Sequence, residues 1–169
     1  DAEAMGWDLQ TPLKKGNLQL LDVTNYFSEL RTGDAESIRI DRVAKELEKF
    51  VQKNKAKRLV IDPIAPLISN IDAISGVQEY IRKLIGTIED GTGCTTLLTS
   101  HVPSGGARLS QYEVEEYIVS GIFQLRLIKP ERKYVRTFFV RKMRATPTDL
   151  SEYSFDIMKD RGIVLRQPV

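Results

Sequence analysis

The sequence holds one cysteine, one histidine and one tryptophan in 169 residues. A single thiol, Cys94, excludes an internal disulfide, and a single imidazole, His101, excludes a multi-histidine metal site. An excess of either charge is missing too: 25 Lys and Arg against 23 Asp and Glu leave a net charge of +2. That balance leaves no electrostatic footprint for nucleic acid, and no basic patch is interleaved with aromatics, so nucleic-acid binding is not expected. No apolar run approaches the length that spans a bilayer, and even Leu18–Val23 carries polar interruptions. The first residues are acidic with no apolar block behind a basic start, so neither a secretory leader nor membrane attachment is expected. With the lone thiol, this points to a reducing cytoplasm. No serine-hydrolase elbow occurs, and Cys94 opens an apolar strand, where inert packing outweighs nucleophilic chemistry.

What is present is ordinary for a globular protein: 41% hydrophobic and 28% charged residues, in a chain the length of one domain. A single domain over residues 1–169 is expected, because no linker, repeat or low-complexity tract divides them. The chain opens on Asp1-Ala2-Glu3-Ala4-Met5, a helix-favouring stretch without a preceding cap. A cut from a longer polypeptide, a tag remnant and a frayed terminus all fit that opening.

Periodicity supplies the elements. Leu18–Val23 reads as a mostly buried strand after a turn at Lys15-Gly16-Asn17, and residues 24–39 read as a polar loop. Val43, Leu47, Phe50 and Val51 recur at helical spacing, then Leu59-Val60-Ile61 forms a β-prone run stopped by Asp62-Pro63. Ile74, Val77, Ile81, Leu84, Ile85 and Ile88 form a second helical stripe, which Gly91 and Gly93 end before a strand over residues 94–99. Strand and helix alternate, which predicts a mostly parallel sheet with helices on its faces. Beyond Val119 the pattern turns to hairpins, with strands over residues 119–128, 134–142, 153–158 and 163–165 and turns near Pro130 and Gly162.

In open α/β sheets, ligands sit beyond the carboxyl ends of the strands. That rule selects Asp62 after the first clear strand and Thr99-Ser100-His101 after the next. A carboxylate at a strand end can hold Mg²⁺ beside phosphates, and Asp-Pro there is equally an ordinary turn. Hydroxyl and imidazole groups at 99–101 can hydrogen-bond a phosphate or an attacking water, and a histidine at a strand end also serves as a structural residue. On an extended strand Lys142 and Arg144 share one face with Arg136. Such cations can clamp a polyphosphate, guard an edge strand or touch a nucleic acid.

Several passages, in their order, resemble the RecA-fold ATPases of the KaiC type, with the RadA recombinases as more distant relatives. They are Gly6-Trp7-Asp8-Leu9 with Gly16-Asn17-Leu18, Arg58–Ile64, Thr95–His101, Glu115–Ile122, and Lys142–Thr146 with Tyr153–Ile157 and Gly162-Ile163. The resemblance implies a RecA-like P-loop NTPase core, a three-layer α/β/α arrangement with antiparallel strands at its C-terminal end. It implies ATP and Mg²⁺ as cofactors and a hexameric ring with active sites at subunit interfaces. Asp62 would be the magnesium-side carboxylate of a Walker B element, and Thr99, Ser100 and His101 would lie near the γ-phosphate. Lys142 and Arg144, with Thr146 beside them, would reach a neighbour's ATP. No Gly-x-x-x-x-Gly-Lys-Ser/Thr occurs in the 169 residues, and the family's paired water-activating glutamates precede its Gly-Trp-Asp region. The expectation is therefore an N-terminally incomplete core, inactive by itself, that self-associates as a ring, a dimer or a swapped form. The alternative is a non-catalytic RecA-like module acting through protein–protein contacts.

Overall fold

Apolar residues at steps of three and four produce the two long helices. The computed structural model describes residues 2–22, 40–67, 74–102, 110–130 and 132–169. In chain order the described elements are α1 (Gln10–Lys14), α2 (Ile40–Asn54), β1 (Arg58–Ile61), α3 (Ile74–Thr92), β2 (Thr95–Leu98), α4 (Glu115–Ile118), β3 (Gly121–Ile128), β4 (Val135–Met143), β5 (Tyr153–Met158) and β6 (Gly162–Pro168). Single 3₁₀ turns occupy Glu3–Met5 and Ala65–Leu67. Contacts divide the chain into two compact units: Leu20–Val119, and Asp1–Gln19 with Ser120–Val169.

In the first unit, α2 buries Val43, Ala44, Leu47 and Val51, while α3 buries Val77, Tyr80, Ile81, Leu84 and Ile88. Most of these side chains form one core cluster with Ile61 and Val114. Removing apolar surface of this kind from water supplies the main drive for the unit's folding. Burial also pushes the Tyr80 phenol up to about 12, because the charged form would lose its hydration. Ile74, expected on the apolar stripe, is exposed at the helix start instead. Gly91 stays inside α3, where a Cβ would meet the Glu48 carboxyl group of α2 at 2.8 Å. Gly93, at φ +60, ends the helix in a conformation that other residues adopt only with strain. β1 and β2 then pair in parallel, with Arg58 opposite Thr95 and Ile61 opposite Leu98.

The expected strand at Leu18–Val23 is a correction. Residues 18–22 have no strand structure and Leu20 is 69% exposed. An extended run becomes a strand only where a neighbour offers ladder hydrogen bonds, and no described strand pairs with it. Val23 and the expected loop at 24–39 lie outside the described residues.

The second unit is an antiparallel sheet in the order β3-β4-β5-β6. The hairpin β5–β6 turns through Asp160 at φ 63 and Gly162 at φ 75. Arg126 of β3 and Thr137 of β4 both hydrogen-bond the Glu152 carboxylate, which ties three segments together. One irregularity changes which residues share a face. Ile122 stands opposite Lys142 but Phe123 stands opposite Val140, so Arg141 is an extra, bulged residue. The bulge puts Lys142 on the face of Gln124 and Thr137, and leaves Arg136 on the other with Leu127. The expected row of Arg136 with Lys142 is therefore broken, because the bulge resets the two-residue alternation.

Candidate functional site

The parallel register sets the site. With Ile61 opposite Leu98, the next residues, Asp62 and Thr99, emerge side by side at the carboxyl ends of β1 and β2. The Thr99 hydroxyl donates to Asp62 Oδ1 at 2.5 Å, the Thr99 N–H donates to the Ile61 carbonyl at 3.0 Å, and the Ile64 N–H donates to the Thr99 carbonyl at 3.0 Å. One side-chain bond thus holds the carboxylate, and two backbone bonds hold the strand ends that carry it. Both side chains are exposed, so the remaining oxygen lone pairs face water.

Ser100 points elsewhere. Its hydroxyl donates to Glu115 Oε1 at 2.7 Å and accepts from the Gln111 N–H at 3.4 Å. Glu115 is 4% exposed and also accepts from the Val114 N–H at 3.2 Å. The single proton of the Ser100 hydroxyl is thereby committed to a buried carboxylate that opens α4. Nearby, Ser110 donates to Glu116, and the Tyr112 phenol is held above its usual range by burial first and by the Glu115 charge second. His101 is exposed beside these residues. The 99–101 triplet therefore divides, with Thr99 joined to Asp62 and Ser100 anchored to α4. Sequence reading did not single out Glu115 as an anchor; its only signal was a pair of acidic residues inside an apolar passage.

The cations lie in the other unit. Lys142 ends β4 just past the bulge, the Arg144 N–H donates to the Ser120 carbonyl at 2.8 Å, and Ala145 takes a positive φ of 55. Partial burial, and then the charge of Arg144, hold the Lys142 amine below the ordinary lysine range. Arg144 follows two residues after Lys142, and its charge acts on that amine. Thr146 is exposed just beyond Arg144.

The donor set suits a hard, well-hydrated cation. Asp62 offers one exposed carboxylate, and Mg²⁺ characteristically takes one or two carboxylates, keeping water and phosphate oxygens for the rest. No group of three or more His, Cys, Asp or Glu side chains among the described residues could enclose a metal. No helix among them is long and apolar enough to cross a membrane.

The chain is similar to known proteins over nearly all of its length. The family model for the KaiC ATPase matches residues 1–169. The chain is 30% identical over 167 residues to the circadian clock oscillator protein KaiC of Prochlorococcus marinus, covering 98% of this chain and 32% of that protein. It is 28% identical over 165 residues to KaiC of Synechococcus elongatus, covering 96% of this chain and 31% of that protein. The chain thus spans about a third of the length of the curated relatives it matches. A crystal structure of a KaiC-like protein from the archaeon Pyrococcus horikoshii matches with a TM-score of 0.77 and 28% identity, covering 98% of this chain and 67% of that one.

Proposed function

The chain belongs to the KaiC family of ATPases, and on that premise we propose that it carries the magnesium side and the trans-acting cations of an ATPase site. The observation that carries this reading is the Asp62–Thr99 pair at the ends of two parallel strands. Mg²⁺-ATP, when bound, supplies a terminal phosphoryl group whose charge the metal helps to neutralise. Asp62 would hold the metal through water, in the manner of a Walker B carboxylate, and the Thr99 hydroxyl keeps that carboxylate in one orientation. Thr99, His101 and Thr146 are proposed to border the phosphates. Ser100, anchored by Glu115, would act by fixing the strand end.

Residues 1–169 are read as part of one KaiC-like domain whose ring places Lys142 and Arg144 at a neighbour's nucleotide. The phosphate-gripping loop is not among these 169 residues, so the chain alone is proposed to be inactive and the activity to belong to a longer gene product. The proposed compartment is the cytoplasm, because a single thiol, Cys94, suits a reducing environment.

Asp62→Asn tests the metal role, since it keeps the shape and removes the charge. ATP turnover by the gene product containing this chain should fall by about 100-fold or more, the scale for losing one preorganised electrostatic group. The Mg²⁺ concentration needed for half-maximal rate should rise at the same time. Unchanged turnover and Mg²⁺ dependence would remove Asp62 from the site.

The missing Gly-x-x-x-x-Gly-Lys-Ser/Thr also favours a second reading, a non-catalytic module that lends Lys142 and Arg144 to a catalytic partner. A gene product that binds no ATP, yet accelerates a P-loop partner, would select it.

A further inference from the structure

The connection between β4 and β5 is fixed by side chains rather than by a ladder. β4 meets β5 in register at Thr137–Ser154 and Phe138–Tyr153, and Tyr153 opens β5. The end of β4 that carries Lys142 therefore runs on past the start of β5. Residues 144–152, which hold Arg144 and Thr146, make the return without strand or helix. Backbone outside a ladder keeps one course only where turn or side-chain bonds fix it.

Such bonds stand at both ends of the connection. At its start the Arg144 N–H donates to the Ser120 carbonyl at 2.8 Å. At its end Glu152 has both carboxylate oxygens engaged. Arg126 of β3 donates to Oε1 from Nε at 3.1 Å and to Oε2 from Nη2, while the Thr137 hydroxyl of β4 donates to Oε1. Thr137 is wholly buried, so its hydroxyl has no water to turn to if the carboxylate leaves. A guanidinium fork on a carboxylate fixes direction as well as distance. The Val169 N–H also donates to the Glu152 carbonyl, at 2.9 Å. Register puts Arg126, Thr137 and Lys142 on one face of the sheet, so the carboxylate is clamped on the face that Lys142 shares.

We propose that Glu152 is a positioning residue for the trans-acting cations: by clamping the far end of the connection to β3 and β4, it fixes where Arg144 stands. This rests on the reading of Lys142 and Arg144 as the pair that serves a neighbour's nucleotide. Glu152 touches no phosphate and acts through the backbone of residues 144–152. The Asp149 carboxylate accepts from the Ser151 N–H at 2.8 Å and from the Tyr153 hydroxyl. Those bonds close a local turn and attach it to neither β3 nor β4, so they do not replace the clamp. A guanidinium that must meet a developing charge loses much of its effect once displaced by about 1 Å.

The test is ATP turnover by the gene product containing this chain, with Glu152→Gln, which keeps the shape and one acceptor oxygen but removes the charge that engages Arg126. Turnover should fall about 10–100-fold, the scale of a misplacement of about 1 Å, with ATP affinity within a few-fold of wild type. Arg126→Gln should act in the same direction, and the two together should lose no more than the worse one alone, since both undo one clamp. Arg166→Gln, which breaks an exposed ion pair with Asp156 on the same sheet, should leave turnover unchanged. Subunit mixing separates positioning from a general loss of structure. Mixed with Asp62→Asn, the Glu152→Gln form should gain activity, because its own Asp62 then meets intact cations. Mixed with the Lys142→Ala/Arg144→Ala form it should gain none. Wild-type turnover in Glu152→Gln, an equal loss in Arg166→Gln, no gain with Asp62→Asn, or an equal gain with both forms would overturn the proposal and leave the cation reading in place. Wild-type turnover in Lys142→Ala/Arg144→Ala would overturn the cation reading and this proposal with it.

Discussion

Replacing Lys142 and Arg144 together by alanine is expected to lower ATP turnover by the full gene product about 1,000-fold, with ATP affinity changed only a few-fold. The magnitude follows from what a cation does at a phosphoryl group in transfer. Charge grows on the leaving and equatorial oxygens, and a guanidinium supplied by a neighbour stabilises it by a factor of about 10³–10⁵. The pair is positioned by the bulge at Arg141 and by the Arg144 N–H bond to Ser120. Burial and the Arg144 charge hold the Lys142 amine below its ordinary range. A phosphate set against both cations would offset that repulsion. Arg144→Lys should fall between wild type and alanine, because an ammonium keeps the charge but loses the planar fork. Steady-state kcat and a nucleotide titration on the same preparations separate the two effects. A loss of affinity that matches the loss of turnover would point to ground-state binding instead.

The second large effect is on stability. Leu84 of α3 is fully buried, in the cluster that joins α2, α3 and β1. Leu84→Ala removes three carbons from a packed interior and leaves a cavity that neighbours fill only in part, at a cost of about 3 kcal/mol. Set against a total of about 5–15 kcal/mol for a domain, that is a large share. The urea midpoint should fall with little change in slope. Ile74→Ala, on the same helix but exposed, should stay within about 0.5 kcal/mol of wild type. Equal losses at the two positions would contradict the packing described here.

How much of this could be read from residues alone varied with the range of the forces involved. The helical stripe from Val77 to Ile88 and the strand Thr95–Leu98 follow from local periodicity, and both lie where periodicity places them. The Tyr153–Met158 strand does as well. Leu18–Val23 has equal β propensity, yet a strand needs a partner and the described strands give it none. The bulge at Arg141 was invisible because it depends on pairing with β3, and it alone separates Arg136 from Lys142. At the site, the strand-end rule found Asp62 and Thr99 because parallel pairing brings such ends together. It could not tell which of three successive residues turns toward Asp62. That choice comes from alternation along the extended chain, which sends Thr99 to Asp62 and Ser100 to Glu115. Glu115, fifteen positions later, has no local signature of burial.

The central claim is that one chain's Asp62 and a neighbour's Lys142 and Arg144 serve the same nucleotide. Mixing two inactive forms of the gene product, Asp62→Asn and the Lys142→Ala/Arg144→Ala double variant, tests this most directly. Mixed assemblies contain interfaces with an intact carboxylate from one subunit and intact cations from the next, so ATP turnover should rise well above the average of the two variants measured alone. Turnover equal to that average at every mixing ratio, in assemblies shown to exchange subunits, would contradict the account.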